Sequence, residues 1–376
     1  MSINQLQTSR PLQALVDLSA MAHNLEQARR RAGGRSIWAV VKANAYGHGI
    51  ENATRGFAAA DGLALLETDE AQRARAAGWT KPILLIEGVF DGRDLALVQE
   101  LDLTVVVHAE EQIAMLERVT AARPIQVYVK LDTGMNRLGF TARRFNAARE
   151  RLARNPRVRV AALMTHLANA DRLPGAEAPD APTVSGQHAA LLALAPEWRG
   201  AWSVSNSAAL FLHPSRGAEL VRPGIALYGA SPVAGMAAAS LGLRAAMRLQ
   251  ARLLAVRELA QGECVGYGSL WRAPRASRIG VVACGYADGY PRTAPEGMPV
   301  WAGNTRVPLV GRVSMDMLTI DLTGVPGVEA GSAVELWGSH IPVDELAERV
   351  GSVGYELLSG LPARVREAAA PEEDPA

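Results

Sequence analysis

Eight short apolar runs, at residues 38–41, 63–66, 83–86, 104–107, 126–131, 158–165, 202–204 and 222–228, recur along the first two thirds of the chain. Stretches of helical character lie between them, at 50–60, 67–77, 93–101, 110–120 and 142–154, and an amphipathic segment at 18–32 precedes the first. Apolar runs without polar alternation suit strands covered on both faces, and strands that alternate with helices form parallel sheets. Eight such repeats over roughly 200 residues predict an α/β fold, a (β/α)8 barrel. A doubly wound sheet competes, but the glycine fingerprint that normally follows its first strand is missing. Beyond about residue 240 the texture changes. Short strand-like pieces at 251–256, 279–283, 306–310, 318–322 and 333–337 are broken by Gly and Pro, without long helices between them except a last stretch at 343–350. The expectation is a barrel over residues 1–240 and a mainly-β domain over 241–376, with a disordered Ala, Pro and acidic tail at 368–376.

In a barrel of this kind chemistry gathers just beyond the carboxyl ends of the strands, with phosphate binding after the seventh and eighth. The first run ends in Lys42, with Tyr46 four residues on and Gly47 and Gly49 opening the loop. A lysine closing a buried strand snorkels to the rim, is paired, or loses its charge in covalent chemistry as a Schiff base. Lys130 and Arg137 bracket the end of the fifth run, and His166 follows the sixth. Ser205, Asn206 and Ser207 follow the seventh and open a helix expected at 207–212, while Arg222, Gly224 and Ile225 belong to the eighth. Hydroxyls and free amides at a helix start make a phosphate cradle, and Gly224 lets backbone approach closely. Singly, each has a structural reading: Ser207 as a helix cap, Arg222 as an ion-pair partner, His166 as a satisfied core histidine. Their placement on one rim favours a shared site.

Composition narrows the classes. Lys plus Arg total 39 and Asp plus Glu 38, so no global field recruits nucleic acid or an anionic membrane. The two cysteines, Cys264 and Cys284, stand twenty apart without a CxxC or clustered histidines. They read as small core residues in a reducing cytoplasm, with no metal site and no disulfide framework. The polar first ten residues lack the apolar centre of a signal peptide. The uncharged stretch between Arg222 and Arg244 is long enough to span a bilayer, yet Gly, Ala, Ser and Pro fill it, so a strand and linker are expected.

The motifs AVVKANAYGHG (39–49), KLDTGMNRLG (130–139), THLANAD (165–171), SNSAA (205–209), RPGIALYG (222–229), GYG (266–268), GYADGYPR (285–292), GRVSMDM (311–317) and GYELLSGLPARV (354–365) run from one end of the chain to the other. In kind and order they resemble the alanine racemases, pyridoxal-phosphate enzymes with a barrel and a β domain. The resemblance implies Lys42 as the covalent anchor of pyridoxal 5'-phosphate. It places Tyr46, Ser207, Gly224, Ile225 and Tyr355 at the phosphate, with Asn206 and His166 among the cofactor-binding residues and Arg222 at the ring nitrogen. Guanidinium does not release its proton at working pH, so the ring would be a weaker electron sink, which favours racemisation over transamination.

Racemisation removes a proton from one face and returns it on the other, which takes two acid–base groups. By resemblance these are Lys42 (for D-alanine) and Tyr267 (for L-alanine), the tyrosine reaching the partner's active site in a head-to-tail homodimer. A phenol titrates near 10, so Tyr267 needs help, for which His166 is the candidate. Taken alone, GYG would be a β turn with a core aromatic. The resemblance further implies Arg137 for the substrate carboxylate, a carbamylated Lys130 that orients it, and Met315 and Asp316 in the substrate pocket. Asp171, Tyr286 and Arg292 would sit at the entrance and limit side-chain size. The product would serve peptidoglycan or the reaction alanine breakdown. Three alternatives stand beside it: a racemase of serine or broader specificity, a decarboxylase of the same plan, and a cofactor carrier without turnover. Arg222 argues against the second, and the second domain with Tyr267, Met315 and Asp316 against the third.

Overall fold

The computed structural model describes residues 10–120, 123–173, 180–213 and 220–370. They fall into two compact units: one takes residues 21–45 and 53–243, the other the described residues up to 20, then 46–52 and 244 onward. The first strand, β1 (Leu12–Val16), belongs to the second unit.

In the first unit β2 (Ser36–Val40), β3 (Gly62–Leu65), β4 (Ile83–Leu85), β5 (Thr104–Val107), β6 (Ile125–Lys130), β7 (Val158–Met164), β8 (Ala201–Asn206) and β9 (Leu220–Arg222) close a parallel barrel. Ser36 and Ile37 pair with Leu220 and Val221 to shut it. Every residue of β3, β4 and β5 is buried, which is why these strands read as unbroken apolar runs. Helices cover the outside. That at Ala142–Ala153 buries Phe145, Ala148 and Leu152, one stripe of an arginine-rich helix. A helix at Val184–Leu194 has no counterpart among the expected segments, because its Ala and Leu surround it without an amphipathic stripe.

The run at 222–228, expected as the eighth strand, is strand only at its first residue. Pro223 brings no N–H to a ladder, and Ile225–Tyr228 winds into a 3-10 helix. Tyr228 donates from its buried hydroxyl to the Val40 carbonyl at 2.9 Å, and Val40 N–H donates to Pro223 O at 2.9 Å. Those two bonds lash the segment to the end of β2. A second 3-10 turn, Ala238–Leu241, follows in the uncharged stretch. Among the described residues no helix is long and apolar enough to cross a membrane.

The second unit continues with β10 (Met247–Leu259), β11 (Cys264–Val265), β12 (Trp271–Arg272), β13 (Ser277–Val282), β14 (Pro299–Ala302), β15 (Thr305–Val310), β16 (Leu318–Asp321), β17 (Ala333–Trp337) and β18 (Arg366–Ala369). Seven of these strands join β1 in an eight-stranded sheet, in the order β13-β16-β15-β14-β17-β10-β1-β18, and the long β10 also pairs with β13. β1 lies antiparallel to β10 and parallel to β18. The N-terminal strand thus joins the β unit and not the barrel. Ala368 and Ala369, expected in a disordered tail, pair with Leu15 and Val16, since main-chain bonding needs no particular side chain. The rest of that tail, 371–376, lies outside the described residues. Both cysteines are free thiols; Cys284 is buried as expected, whereas Cys264 is only partly covered.

Candidate active site

In the barrel unit the expected rim residues converge. Lys42 stands two residues beyond the end of β2. Its amine is held below the usual lysine range by burial, with Glu87 opposing the shift and Arg137 adding to it. The four residues that follow, Ala43, Asn44, Ala45 and Tyr46, all have φ between 51° and 55°, a left-handed turn made without glycine. Each L-residue there costs roughly 1–2 kcal/mol, so the turn persists only because its surroundings hold it. Ala45 N–H donates to Val41 O at 2.8 Å, and Asn44 N–H donates to Glu70 Oε1 at 2.7 Å.

Lys130 is the last residue of β6 and 5% exposed. Burial, then Arg222 and Arg137, push its amine down to about 8. Beyond it the chain doubles back: Phe140 N–H donates to Lys130 O at 2.8 Å, and Asp132 N–H to Phe140 O at 3.0 Å. Inside that loop Asp132 Oδ1 accepts from Gly134 and Asn136 N–H, which shapes the segment carrying the exposed Arg137. Lys130, Asp132, Arg137, Thr165 and His166 line one shallow recess.

Arg222 is buried at the end of β9. It donates from Nη1 to Ser203 Oγ and from Nη2 to the Thr165 carbonyl at 2.9 Å. Burial lowers it only to about 10, so it is charged at neutral pH. The ion-pair reading of Arg222 therefore gives way to hydrogen bonds with neutral groups. Next to it His166 is pushed down to about 3, by burial and then by Arg222, Lys130, Arg137 and Lys42. Four cations around a neutral imidazole form a setting that favours anions.

Two further residues hold this arrangement, Gln187 outside the motifs and Thr165 at the head of THLANAD. Gln187, buried on the unexpected helix, donates to Thr133 Oγ1 at 3.0 Å and to His166 O at 3.2 Å. Thr165 donates from Oγ1 to Leu131 O at 2.9 Å. Lone Gln and Thr carry no signal of such a role in sequence.

At the start of the helix Ser207–Leu212 the capping role belongs to Asn206, whose Oδ1 accepts from Ala209 N–H at 3.0 Å. Ser207 is not the cap: its buried Oγ accepts from Gly224 N–H at 2.7 Å, tying helix start to β9 loop. Ile225 is fully buried, and Asp171 is exposed on the barrel unit.

In the other unit Tyr46 and Tyr355 stand with ring centroids 6.0 Å apart. Burial, and then Tyr355, raise the Tyr46 hydroxyl above the phenol range. Gly47 (φ +75°) has no room for a side chain, since a Cβ would fall 2.1 Å from the Leu358 carbonyl. Tyr267 opens a 3-10 turn between two positive-φ glycines, Gly266 and Gly268, which accounts for the Gly-Tyr-Gly pattern and leaves the ring 72% exposed. It is not a core aromatic.

Met315 and Asp316 lie on a loop joined to the 285–289 turn. Tyr286 N–H donates to Ser314 O at 3.0 Å and Ala287 N–H to Met315 O at 2.9 Å. A Cβ on Gly285 would meet those same two carbonyls. Arg292 stacks on Tyr286, its guanidinium carbon 6.0 Å from the ring centroid.

The family model for the alanine racemase N-terminal domain matches residues 16–232, and that for the alanine racemase C-terminal domain matches 246–369. Alanine racemase from Janthinobacterium sp. (strain Marseille) is 50% identical over 359 residues, which cover 95% of this chain and 98% of that one. Alanine racemase from Burkholderia mallei (strain ATCC 23344) is 48% identical over 358 residues, with 95% and 98% covered. Among solved structures, biosynthetic alanine racemase from Pseudomonas aeruginosa superposes with a TM-score of 0.89 at 46% identity, over 95% of this chain and 99% of that one. Alanine racemase from Acinetobacter baumannii does so at 0.87 and 37%, with 95% and 99% covered. The chain is an enzyme of the alanine racemase family.

Proposed function

We propose that this chain interconverts L-alanine and D-alanine with pyridoxal 5'-phosphate, using Lys42 and Tyr267 as its two acid–base groups. The observation that carries this reading is the gathering of Lys42, Lys130, Arg137 and Arg222 around the neutral His166. Such a setting fits a phosphorylated aldehyde and a substrate carboxylate. When bound, the cofactor supplies an electron sink that acidifies the substrate Cα–H.

Lys42 would anchor the cofactor through its amine, which burial keeps easier to deprotonate. Tyr46, Ser207, Gly224, Ile225 and Tyr355 would hold the phosphate, with Asn206 and His166 among the other cofactor-binding residues and Arg222 at the ring nitrogen. Arg222, still charged at neutral pH, would face the ring nitrogen and leave it without a proton. Arg137 would take the substrate carboxylate, and a carbamate on Lys130 would orient it. Displaced from the cofactor by the substrate amine, the freed Lys42 amine would take or return the Cα proton on the D face, and the phenol of Tyr267 would do so on the L face.

Tyr267 is largely exposed, as are Leu270 and Met315 in the same unit. These features support a homodimer in which each subunit lends Tyr267, Met315 and Asp316 to the other's site. Asp171, Tyr286 and Arg292 would narrow the entrance and favour alanine over amino acids with larger side chains. The free thiols fit a reducing cytoplasm.

The test is incubation of the purified holoenzyme with a panel of L-amino acids, followed by chiral chromatography. Alanine is expected to become racemic well ahead of serine. Loss of the carboxylate, or equal racemisation of bulky substrates, would refute the reading.

A further inference from the structure

The structure assigns Glu70 a positioning role toward Lys42: its carboxylate holds the left-handed turn that fixes the lysine's backbone. This rests on the reading of Lys42 as the point of cofactor attachment.

Residues 43–46 share a conformation that ordinary side chains avoid. Alanine, at 43 and 45, has no side-chain group with which to favour it locally. One of the turn's hydrogen bonds, Ala45 N–H to Val41 O, is internal and comes with the turn itself. Another, at Asn44 N–H, comes from a different element. Glu70 lies in the first turn of the helix Thr68–Ala76, which follows β3, the barrel neighbour of β2. Its side chain is 6% exposed, and Oε1 accepts from Asn44 N–H at 2.7 Å. A carboxylate is costly to bury unless it meets donors, and a main-chain N–H is one. The acid–base chemistry proposed above makes no use of this group, although it acts electrostatically on the Lys42 amine. A buried acid that grips the second residue after Lys42 is therefore a brace. Without it Asn44 N–H loses its acceptor, the turn relaxes toward ordinary backbone, and the amine is presented poorly to the cofactor.

The experiment uses the full chain, stripped of cofactor and resupplied with pyridoxal phosphate. It follows the rate of capture by absorbance, then fixes the adduct with borohydride and maps it. Capture by Glu70→Ala should slow by about tenfold or more, the scale of one unpaired buried donor. Glu70→Gln, which keeps an acceptor oxygen, should recover most of the rate. Ala43→Gly, at an exposed position where glycine adopts positive φ freely, should partly rescue Glu70→Ala. A role confined to packing the helix would not respond to glycine at 43. Where Glu70→Ala does not fold, Glu70→Met fills the same space without an acceptor and is read the same way.

Capture by the acceptor-free variant at the unaltered rate, or no rescue by Ala43→Gly, overturns the role of Glu70. Absence of label on Lys42 in the unaltered protein overturns both this role and the attachment reading. Label on Lys42 with normal capture by Glu70→Ala overturns only the former.

Discussion

Asp288 and Asp316 share one guanidinium. Arg364 donates from Nε to Asp288 Oδ1 and from Nη2 to Asp316 Oδ1, each at 2.6 Å. Asp288 is 1% exposed and also takes Arg10 at 3.0 Å and Gly285 N–H at 2.9 Å, so one buried carboxylate ties Arg10 and the 285–289 turn together and, through Arg364, reaches the 314–317 loop.

Replacing Asp288 by Ala removes that tie and leaves two arginines facing each other. The expected loss of stability is roughly 3 kcal/mol, at the low end for a broken buried pair because both arginines are partly exposed. KM for alanine should rise through displacement of Asp316, while cofactor retention stays the same. Denaturant unfolding and steady-state kinetics check this; a variant as stable as the parent would remove the keystone role.

For Lys130, attack on carbon dioxide needs the neutral amine, which forms a bond from nitrogen to carbon and sheds one proton. With its pKa drawn down to about 8, the neutral form is available at lower pH than for a free lysine. Native mass spectrometry in bicarbonate should show one carbon dioxide adduct whose occupancy climbs as pH rises through 8. Lys130→Ala should abolish it. No adduct at any pH would leave Arg137 without its proposed orienting anion.

Acid should weaken the fold through His166. Its native value near 3 lies below the ordinary 6.5, so between those limits the unfolded chain binds a proton that the native chain refuses. No cost arises above about 6.5; as pH falls below it, stability drops by up to about 1.4 kcal/mol per unit from this one group. Unfolding of the cofactor-free protein over a pH series should show that slope, and His166→Asn should flatten it. An unchanged slope in the variant would mean that other groups carry the acid sensitivity.

Much of the barrel is legible in the chain because parallel strands buried on both faces leave continuous apolar runs. The helix Leu18–Ala32 and the strand Ala333–Trp337 fall at their expected limits. What is missed depends on long-range pairing. β1 and β18 are three hundred and fifty residues apart in order, and nothing in Leu12–Val16 or Arg366–Ala369 advertises their union. The rim residues are legible as well, since Lys42, Lys130, His166, Ser207 and Arg222 each sit at a strand end. Their supports are not. Gln187 and Glu70 look like ordinary helix residues, and Ala43 and Ala45 would be given right-handed backbone by any propensity. Arg10, Asp288 and Arg364 become a cluster only once the chain has folded.

The central claim is that Lys42 of one chain and Tyr267 of another serve one cofactor. It is tested most directly by coexpressing Lys42→Ala and Tyr267→Phe chains. Each variant alone should lack racemase activity, with the tyrosine variant still binding cofactor. In a mixed dimer one site receives both native groups, one from each chain, and activity should return. Coexpressed chains no more active than either variant alone would contradict the claim.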